Sequence, residues 1–180
     1  SDLKTLKTEG KDFVVAIDTD SIYLTLEDLI EKVCAGKTTE QRIKTMDKMC
    51  EEVFQPFIDQ GYTELADYMN AYAQKMVMKR EVLADKAIWT AKKRYVINVH
   101  NSEGVQFAQP KVKVMGLEMV KSSTPAVIRD KLKESIDVIL EDDEKELHKF
   151  VAEFKKDFNK MPTQDIAFPR SCNGVKQYAG

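Results

Sequence analysis

Hydrophobic residues form two short runs near the start of the chain, and a polar turn separates them. The runs cover residues 13–17 and 22–26, and residues 18–22 at their junction read Asp-Thr-Asp-Ser-Ile. Two strand-like runs so close together predict a tight antiparallel β-hairpin with a five-residue turn. The tip of this hairpin carries two carboxylates, Asp18 and Asp20, one residue apart.

The apolar positions then take the spacing of helices. Residues 27–35 predict a short helix that ends before Gly36, a residue suited to the left-handed position after a helix. A longer helix is predicted to begin at Thr38 or at the threonine after it, with an apolar stripe over residues 43–69. Pro56 is expected to kink or break this helix, because proline lacks the backbone N–H that a helix interior needs.

A period of two returns in the middle of the chain. Residues 74–79, 94–99 and 111–114 each alternate apolar and polar side chains and predict three strands. The sequence Asn-Ser-Glu-Gly at residues 101–104 predicts the turn between the second and the third strand. So short a connection favours an antiparallel meander.

Two amphipathic helices are predicted to follow. Thr124 is expected to cap the first of them, with Pro125 at its first helical position and an apolar stripe over residues 127–140. The stripe of the second helix covers residues 147–158. The order of hairpin, helices, meander and helix pair is typical of an α+β fold.

Length and composition narrow the class of protein. The chain has 180 residues, of which 43% are hydrophobic, and this suits one domain or one and a half. No apolar run approaches the length of a membrane span, and no signal-peptide pattern opens the sequence. Cys34, Cys50 and Cys172 are widely spaced, which favours a reducing, cytoplasmic location over a disulfide framework. His100 and His148 stand far apart without cysteine neighbours, which argues against zinc and against a histidine-based triad.

Charge is unevenly distributed along the chain, although the net charge is only −2. Residues 74–124 contain ten basic and four acidic side chains, a local charge of +6, which leaves −8 on the rest. Such a basic middle is compatible with a phosphate-binding surface and also with an ordinary solvated face.

The paired carboxylates of the hairpin tip predict a site for a hard divalent cation. Close carboxylates repel each other, and a bound cation with oxygen ligands relieves that repulsion. Two-metal catalysis needs a further carboxylate from another element. Asp85 and Glu103 do not supply it, because they are isolated and are expected in loops. Since Asp and Ser are also common turn formers, a plain turn is the alternative.

Two basic segments are candidates for phosphate contacts. Lys92, Lys93 and Arg94 are expected at a strand start before Tyr95, where they suit a nucleic-acid backbone or merely protect a strand edge. Further along, a lysine-faced strand leads to Lys-Ser-Ser-Thr-Pro at residues 121–125. This hydroxyl-rich helix start could attract phosphate or serve only as a cap.

Three segments in this order resemble the family B DNA polymerases, and in particular the replicative enzymes of tailed phages. They are the hairpin tip at residues 18–23, the Lys-Lys-Arg-Tyr segment within residues 89–95, and residues 115–125. The resemblance covers the chain from about residue 10 to residue 170. It implies an antiparallel palm sheet with a catalytic hairpin and packed helices, followed by a helical partial thumb. The palm would occupy residues 1–123 and the thumb would begin at 124–180.

The resemblance also implies roles for individual residues. Asp20 would be the principal ligand of two Mg²⁺ ions in the complete enzyme, with Asp18 supporting it. Primer–template DNA and a deoxynucleoside triphosphate would be the substrates. The residues implied in DNA contact are Lys92, Lys93, Arg94 and Tyr95 for the duplex, and Lys121, Ser122 and Ser123 near the primer backbone.

The sequence departs from the family pattern in several places. Ile17 and Ala91 stand where the family usually has glycine. The upstream acidic motif, the fingers helix and the exonuclease domain do not occur in this sequence. The expectation is therefore a palm and thumb piece of a longer or split polymerase, a cropped sequence or a gene fragment, inactive without its remaining parts. The alternatives are a non-catalytic nucleic-acid-binding relic of a palm and an unrelated Mg²⁺ enzyme such as a glycosyltransferase, although no βαβ pattern supports the latter.

Overall fold

The computed structural model describes residues 12–171 and 173–174, so Cys172 lies outside the described residues. The helices and strands, in chain order, are β1 (Val14–Asp18), β2 (Ser21–Leu24), α1 (Glu27–Val33), α2 (Thr39–Met49), α3 (Gln55–Tyr68), β3 (Val82–Ala91), β4 (Arg94–Ser102), β5 (Val105–Met115), α4 (Ala126–Glu141), α5 (Glu144–Phe158) and α6 (Thr163–Ile166). Strands β1 and β2 pair with each other, and β3, β4 and β5 form a three-stranded antiparallel sheet in that order. The predicted α+β fold is therefore confirmed.

The chain divides into two compact units. Among the described residues, the first unit consists of residues 12–87 together with Ile97–Lys113. The second consists of Ile88–Val96 together with the described residues from Val114 onward. The first unit contains the β1–β2 hairpin and the helices α1, α2 and α3. The second contains α4, α5 and α6, together with the end of β3, the start of β4 and the end of β5.

The β1–β2 hairpin is confirmed, but its turn is shorter than predicted. Asp18 ends β1 and pairs with Ser21 at the start of β2, so only Thr19 and Asp20 form the loop. Pairing continues into the polar residues because a two-residue loop lets the backbone ladder reach the turn itself. An irregularity between Val14 and Ala16 then shifts the register of the strands.

The long helix after the hairpin begins as predicted. The Thr38 hydroxyl accepts a hydrogen bond from the Gln41 N–H at 3.4 Å, and the Gln41 side chain accepts one from the Thr38 N–H at 3.2 Å. This reciprocal pair satisfies two backbone donors that a helix start would leave without partners. Pro56 neither ends nor breaks the helix, because a π-helical turn at Cys50–Phe54 precedes it and places proline in the first turn of α3.

The strand predicted at residues 74–79 is wrong, and β3 begins only at Val82. Within this segment the Gln74 side chain forms local hydrogen bonds. It donates to the Met76 carbonyl at 2.7 Å and accepts from the Met76 N–H. Met76 and Val77 are 54% and 71% exposed, so neither side of the alternating pattern is buried. Without a partner strand or a buried face, the period of two does not produce a strand.

Arg80 links α2 to the end of β4 inside the first unit. Its guanidinium donates to Asn101 Oδ1 at 2.8 Å and forms an ion pair with Asp47. Asn101 is fully buried, and its Oδ1 also accepts the Gly104 N–H at 3.1 Å. The Asn101 side-chain oxygen thus has two donors, and Arg80 joins α2 to the end of β4.

Asp85 was expected in a loop but lies in β3. Its Oδ1 accepts a hydrogen bond from the Asn98 side chain at 2.8 Å and is 3.0 Å from His100 Nε2. Both partners belong to β4, so cross-strand contacts occupy this carboxylate. Glu103 lies in the β4–β5 turn, as expected.

The second unit has its own apolar core. Val96, Met119, Ile136 and Leu140 are buried together, and Val114, Leu117 and Leu132 pack against them. The start of α4 differs from the prediction by one residue: Pro125 is the capping residue and α4 begins at Ala126. Thr124 is buried one residue before the capping position, which Pro125 occupies without a side-chain hydrogen bond to the helix. Among the described residues, no helix combines the length and the apolar character that a membrane crossing requires.

Candidate metal centre and nucleic-acid interface

The tip of the β1–β2 hairpin places the two predicted metal ligands in different settings. Asp18 is half-buried at the end of β1, and its Oδ1 accepts a hydrogen bond from the Thr19 hydroxyl at 3.2 Å. Asp20 is exposed in the loop and has no hydrogen bond or ion pair to another described residue. Asp20 is therefore the more accessible of the two carboxylates for an incoming cation.

Thr19 holds the loop in a strained conformation. Its φ is +56°, in the left-handed region that β-branched residues rarely adopt. Residues kept in such conformations cost roughly 1–3 kcal/mol and occur preferentially at functional sites. The strain is local to the loop between the two carboxylates.

The ligand atoms at the tip suit a hard divalent cation in type but not in number. Carboxylate oxygens are the ligands that Mg²⁺ takes, usually with several waters and substrate oxygens. Asp18 and Asp20 supply such oxygens, but within the described part of the chain no three His, Cys, Asp or Glu side chains are grouped to hold a metal. The hairpin by itself therefore offers a pair of ligands rather than a complete cage.

The basic segment forms the turn between β3 and β4. Lys92 and Lys93 are the two exposed turn residues, Lys93 has a φ of +60°, and Arg94 begins β4. All three cations were expected at a strand start, but only Arg94 lies on a strand; Lys92 and Lys93 lie in the turn before it. Tyr95 is buried, and its ring centroid lies 5.9 Å from that of Trp89. The three cations are thus exposed, whereas the neighbouring Tyr95 is buried.

A second segment of the chain packs directly against this turn. Gly116 has a φ of +68°, and a Cβ at this position would lie 2.1 Å from the Lys93 carbonyl oxygen and 3.2 Å from Arg94 Cγ. Only glycine fits this approach. The residues that follow, Leu117 and Met119, pack in the core of the second unit.

Glu118 connects the two basic segments. One carboxylate oxygen, Oε1, accepts a hydrogen bond from Lys121 Nζ at 2.8 Å and lies 3.7 Å from Arg94 Nη2. The Lys121 hydrogen bond is the main cause that lowers the pKa of Glu118, and Arg94 contributes in the same direction. The carboxylate therefore stays ionised at neutral pH. Gly116 and Glu118 lie within the family-like segment 115–125, but the resemblance assigned neither of them a role. The three-residue spacing of Glu118 and Lys121 suggests their pairing, whereas nothing in the sequence points to Arg94.

The remaining predicted DNA contacts differ in accessibility. Ser122 and Ser123 are exposed before α4, whereas Lys121 is half-buried. The lysines of the lysine-faced strand have protein partners: Lys111 lies 4.2 Å above the Phe107 ring, and Lys113 pairs with Glu81 at 2.9 Å. These two lysines are therefore less suited to phosphate contact than the turn residues.

Comparison with known families decides the relationship. The family model for divergent family B DNA polymerases matches residues 1–153. The chain belongs to this family. All predicted metal-ligand and DNA-contact residues of this divergent family B chain lie inside the matched range.

Two curated relatives extend the comparison. The chain is 36% identical to the "DNA-directed DNA polymerase" of Enterobacteria phage T4 over 97% of its own length, and 39% identical to the enzyme of that name from Escherichia phage RB69 over 95%. The aligned region is 21% of the T4 protein and 20% of the RB69 protein. The family B chain thus spans about a fifth of the length of these relatives.

Proposed function

We propose that this chain is the part of a DNA-directed DNA polymerase that supplies the palm carboxylates and part of the primer–template surface. The observation that carries the proposal is the Asp18/Asp20 pair at the tip of a two-residue hairpin loop, in a chain similar to two polymerases over nearly its whole length. The palm would comprise residues 1–123, and the thumb would begin at 124–180. The fingers, the exonuclease part and the rest of the palm would come from other parts of the polymerase.

The carboxylates would act by charge and position. Asp20, exposed and without a described partner, would bind the cations, and Asp18 would support it from the end of β1. Mg²⁺ ions bound there would supply electrostatic stabilisation for attack by the primer 3′-hydroxyl on the nucleotide α-phosphorus. Thr19 would fix the loop that separates the two carboxylates. The further ligands would come from nucleotide phosphates and from the remaining palm.

The first prediction concerns the metal site of the chain alone. With two carboxylates and no substrate phosphates, we expect Mn²⁺ to bind weakly and not to saturate at micromolar concentration, because few ligands replace its water shell. Paramagnetic relaxation during a Mn²⁺ titration measures this. The double variant Asp18→Asn/Asp20→Asn is the control and is expected to lose the effect. Saturation at micromolar Mn²⁺ would reveal a complete site and contradict the need for ligands from elsewhere.

The second prediction concerns duplex DNA. Each phosphate neutralised by a cation contributes roughly −0.9 to the slope of log K against log salt concentration. Replacing Lys92, Lys93 and Arg94 by alanine is therefore expected to flatten this slope by up to about three units. Fluorescence anisotropy of a labelled primer–template duplex at several salt concentrations provides the measurement.

A matched control removes the same charge elsewhere. Lys32, Lys44 and Lys48 are exposed on α1 and α2, and Lys44 and Lys48 already pair with glutamates four residues away. Their triple alanine variant is expected to keep the wild-type slope. If both triple variants change the slope equally, the effect is one of net charge, and the proposed role of the β3–β4 turn fails.

A further inference from the structure

The contacts of Glu118 raise a question that the proposed DNA surface leaves open. An acidic side chain lies among the cations proposed to hold a polyanion, and its Oε1 contacts both Arg94 and Lys121. The two cations come from segments distant in sequence, one at the start of β4 and one before α4. A single negative oxygen therefore marks the point where two proposed DNA-binding side chains converge.

The segment that carries Glu118 and Lys121 is held by packing as well as by these ion pairs. Gly116 packs against the Lys93 carbonyl, and Met119 is 5% exposed in the core of the second unit. Lys121 lies two residues further on, and its backbone N–H donates to the Glu118 carbonyl at 3.1 Å. Since both ends of this short segment are held by packing, removal of the Glu118 charge would leave Arg94 and Lys121 close to each other.

We propose that Arg94 and Lys121 form a binding site for one backbone phosphate of DNA, and that the Glu118 carboxylate occupies this site while DNA is absent. The inference rests on the proposed function. A carboxylate and a phosphodiester each carry one negative charge and accept charge-assisted hydrogen bonds from arginine and lysine. The exchange of one for the other therefore conserves the charge around the two cations.

The exposure of the three side chains suits such an exchange. Arg94 is 48%, Glu118 51% and Lys121 40% exposed, so a phosphate can reach the cations from solvent. Ion pairs at this exposure contribute little to stability, because solvent screens them. The need to displace the carboxylate would therefore oppose DNA binding only modestly. While DNA is absent, the bound carboxylate would keep other anions from the two cations.

The test is Glu118→Gln, which keeps the shape of the side chain and removes its charge. We expect the slope of log K against log salt to steepen by about 0.9, because one further phosphate is neutralised. Taking 1 M salt as the reference where this term vanishes, duplex affinity at 0.1 M is expected to rise roughly eightfold. An unchanged or weakened affinity would mean that Glu118 positions the cations or does nothing, and would overturn the proposal.

Glu134 offers a closely matched control. It is also 51% exposed and pairs with a lysine three residues away, Lys131, at 2.5 Å. Its described contacts do not include an arginine. Glu134→Gln changes the net charge equally and is expected to leave the slope unchanged. If Glu134→Gln raises duplex affinity as much as Glu118→Gln does, both effects come from net charge. That result would overturn the assigned site.

Two further arms separate the possible failures. In an Arg94→Gln background, Glu118→Gln is expected to lose most of its gain, and a full gain would show that Arg94 is not part of the site. The gain is expected to be equal in chloride and in inorganic phosphate at the same ionic strength; its loss in phosphate would assign the site to free phosphate instead of DNA. If the wild-type chain does not bind duplex at all, the proposed function fails, whereas normal wild-type binding without a Glu118→Gln gain refutes this inference alone.

Discussion

Replacement of Gly116 by alanine is expected to destabilise the second unit by about 2–5 kcal/mol. A non-glycine residue at a φ of +68° costs roughly 1–2 kcal/mol, because its Cβ crowds the backbone. Overpacking adds roughly 1–3 kcal/mol, since the added Cβ would lie 2.1 Å from the Lys93 carbonyl oxygen. That oxygen belongs to the backbone of the β3–β4 turn and cannot rotate away as a side chain would.

Urea unfolding measures the loss of stability. Fluorescence of Trp89, the single tryptophan of the chain, reports on the unit that contains Gly116. Gly36→Ala is the control, because Gly36 has a φ of +72° but no atom lies within 4 Å of an added Cβ. Circular dichroism monitors the unfolding of this variant. The control is expected to lose only the conformational part, about 1–2 kcal/mol. Equal losses in both variants would show that the approach of residue 116 to Lys93 is not tight.

Elements with a strong local signal could be predicted from the sequence. The threonines at 38 and 39 predict a helix start, and α2 begins directly after Thr38, which caps it. The β1–β2 hairpin likewise follows from two apolar runs around a polar turn. The segment at residues 74–79 has an equally regular alternation but no partner strand, and a strand depends on such a partner for its backbone hydrogen bonds.

Contacts between distant segments are what the sequence could not reveal. The Arg80 guanidinium reaches Asn101, and Glu118 reaches Arg94, across separations that no periodicity describes. Gly116 looks like an ordinary loop glycine until the approach of the Lys93 carbonyl is seen. The sequence therefore indicated which cations to consider, while the fold shows which of them converge and what lies between them.

The candidate metal site was predictable in its residue types but not in its loop. Two carboxylates one residue apart already suggest a hard cation. The two-residue loop and the left-handed Thr19 depend on how far the β1–β2 ladder extends, which is decided by backbone pairing rather than by side-chain character. This difference matters because it places Asp20 in the loop and Asp18 on a strand.

Asp20→Asn is expected to slow nucleotide addition by 10²–10³-fold in an assembled polymerase, and to do so more than Asp18→Asn. Asparagine keeps the size of the side chain and removes the charge that would bind the cations. Losing an electrostatic group of this kind at a reaction centre costs about 3–4 kcal/mol in transition-state stabilisation. Asp18 is half-buried and accepts the Thr19 hydroxyl, so its proposed role is supporting.

The measurement requires the remaining parts of the proposed polymerase. A T4 DNA polymerase in which this chain replaces the aligned segment provides them, since the two sequences align over 97% of the chain. Single-turnover nucleotide addition at saturating Mg²⁺ then compares the unmutated chimaera with its Asp18→Asn and Asp20→Asn variants. The chain by itself serves as the negative control and is expected to extend no primer, because two-metal chemistry needs a full ligand set and a positioned substrate.

Duplex affinity distinguishes a catalytic effect from misfolding or lost binding. Lys92 and Lys93 remain in both variants, so affinity for the primer–template is expected to change by less than about twofold. A large loss of affinity together with the rate would indicate damage to the fold rather than to catalysis. If Asp20→Asn retains nearly the unmutated rate, the hairpin tip is not the catalytic metal centre, and this family B chain is better described as a non-catalytic DNA-binding palm.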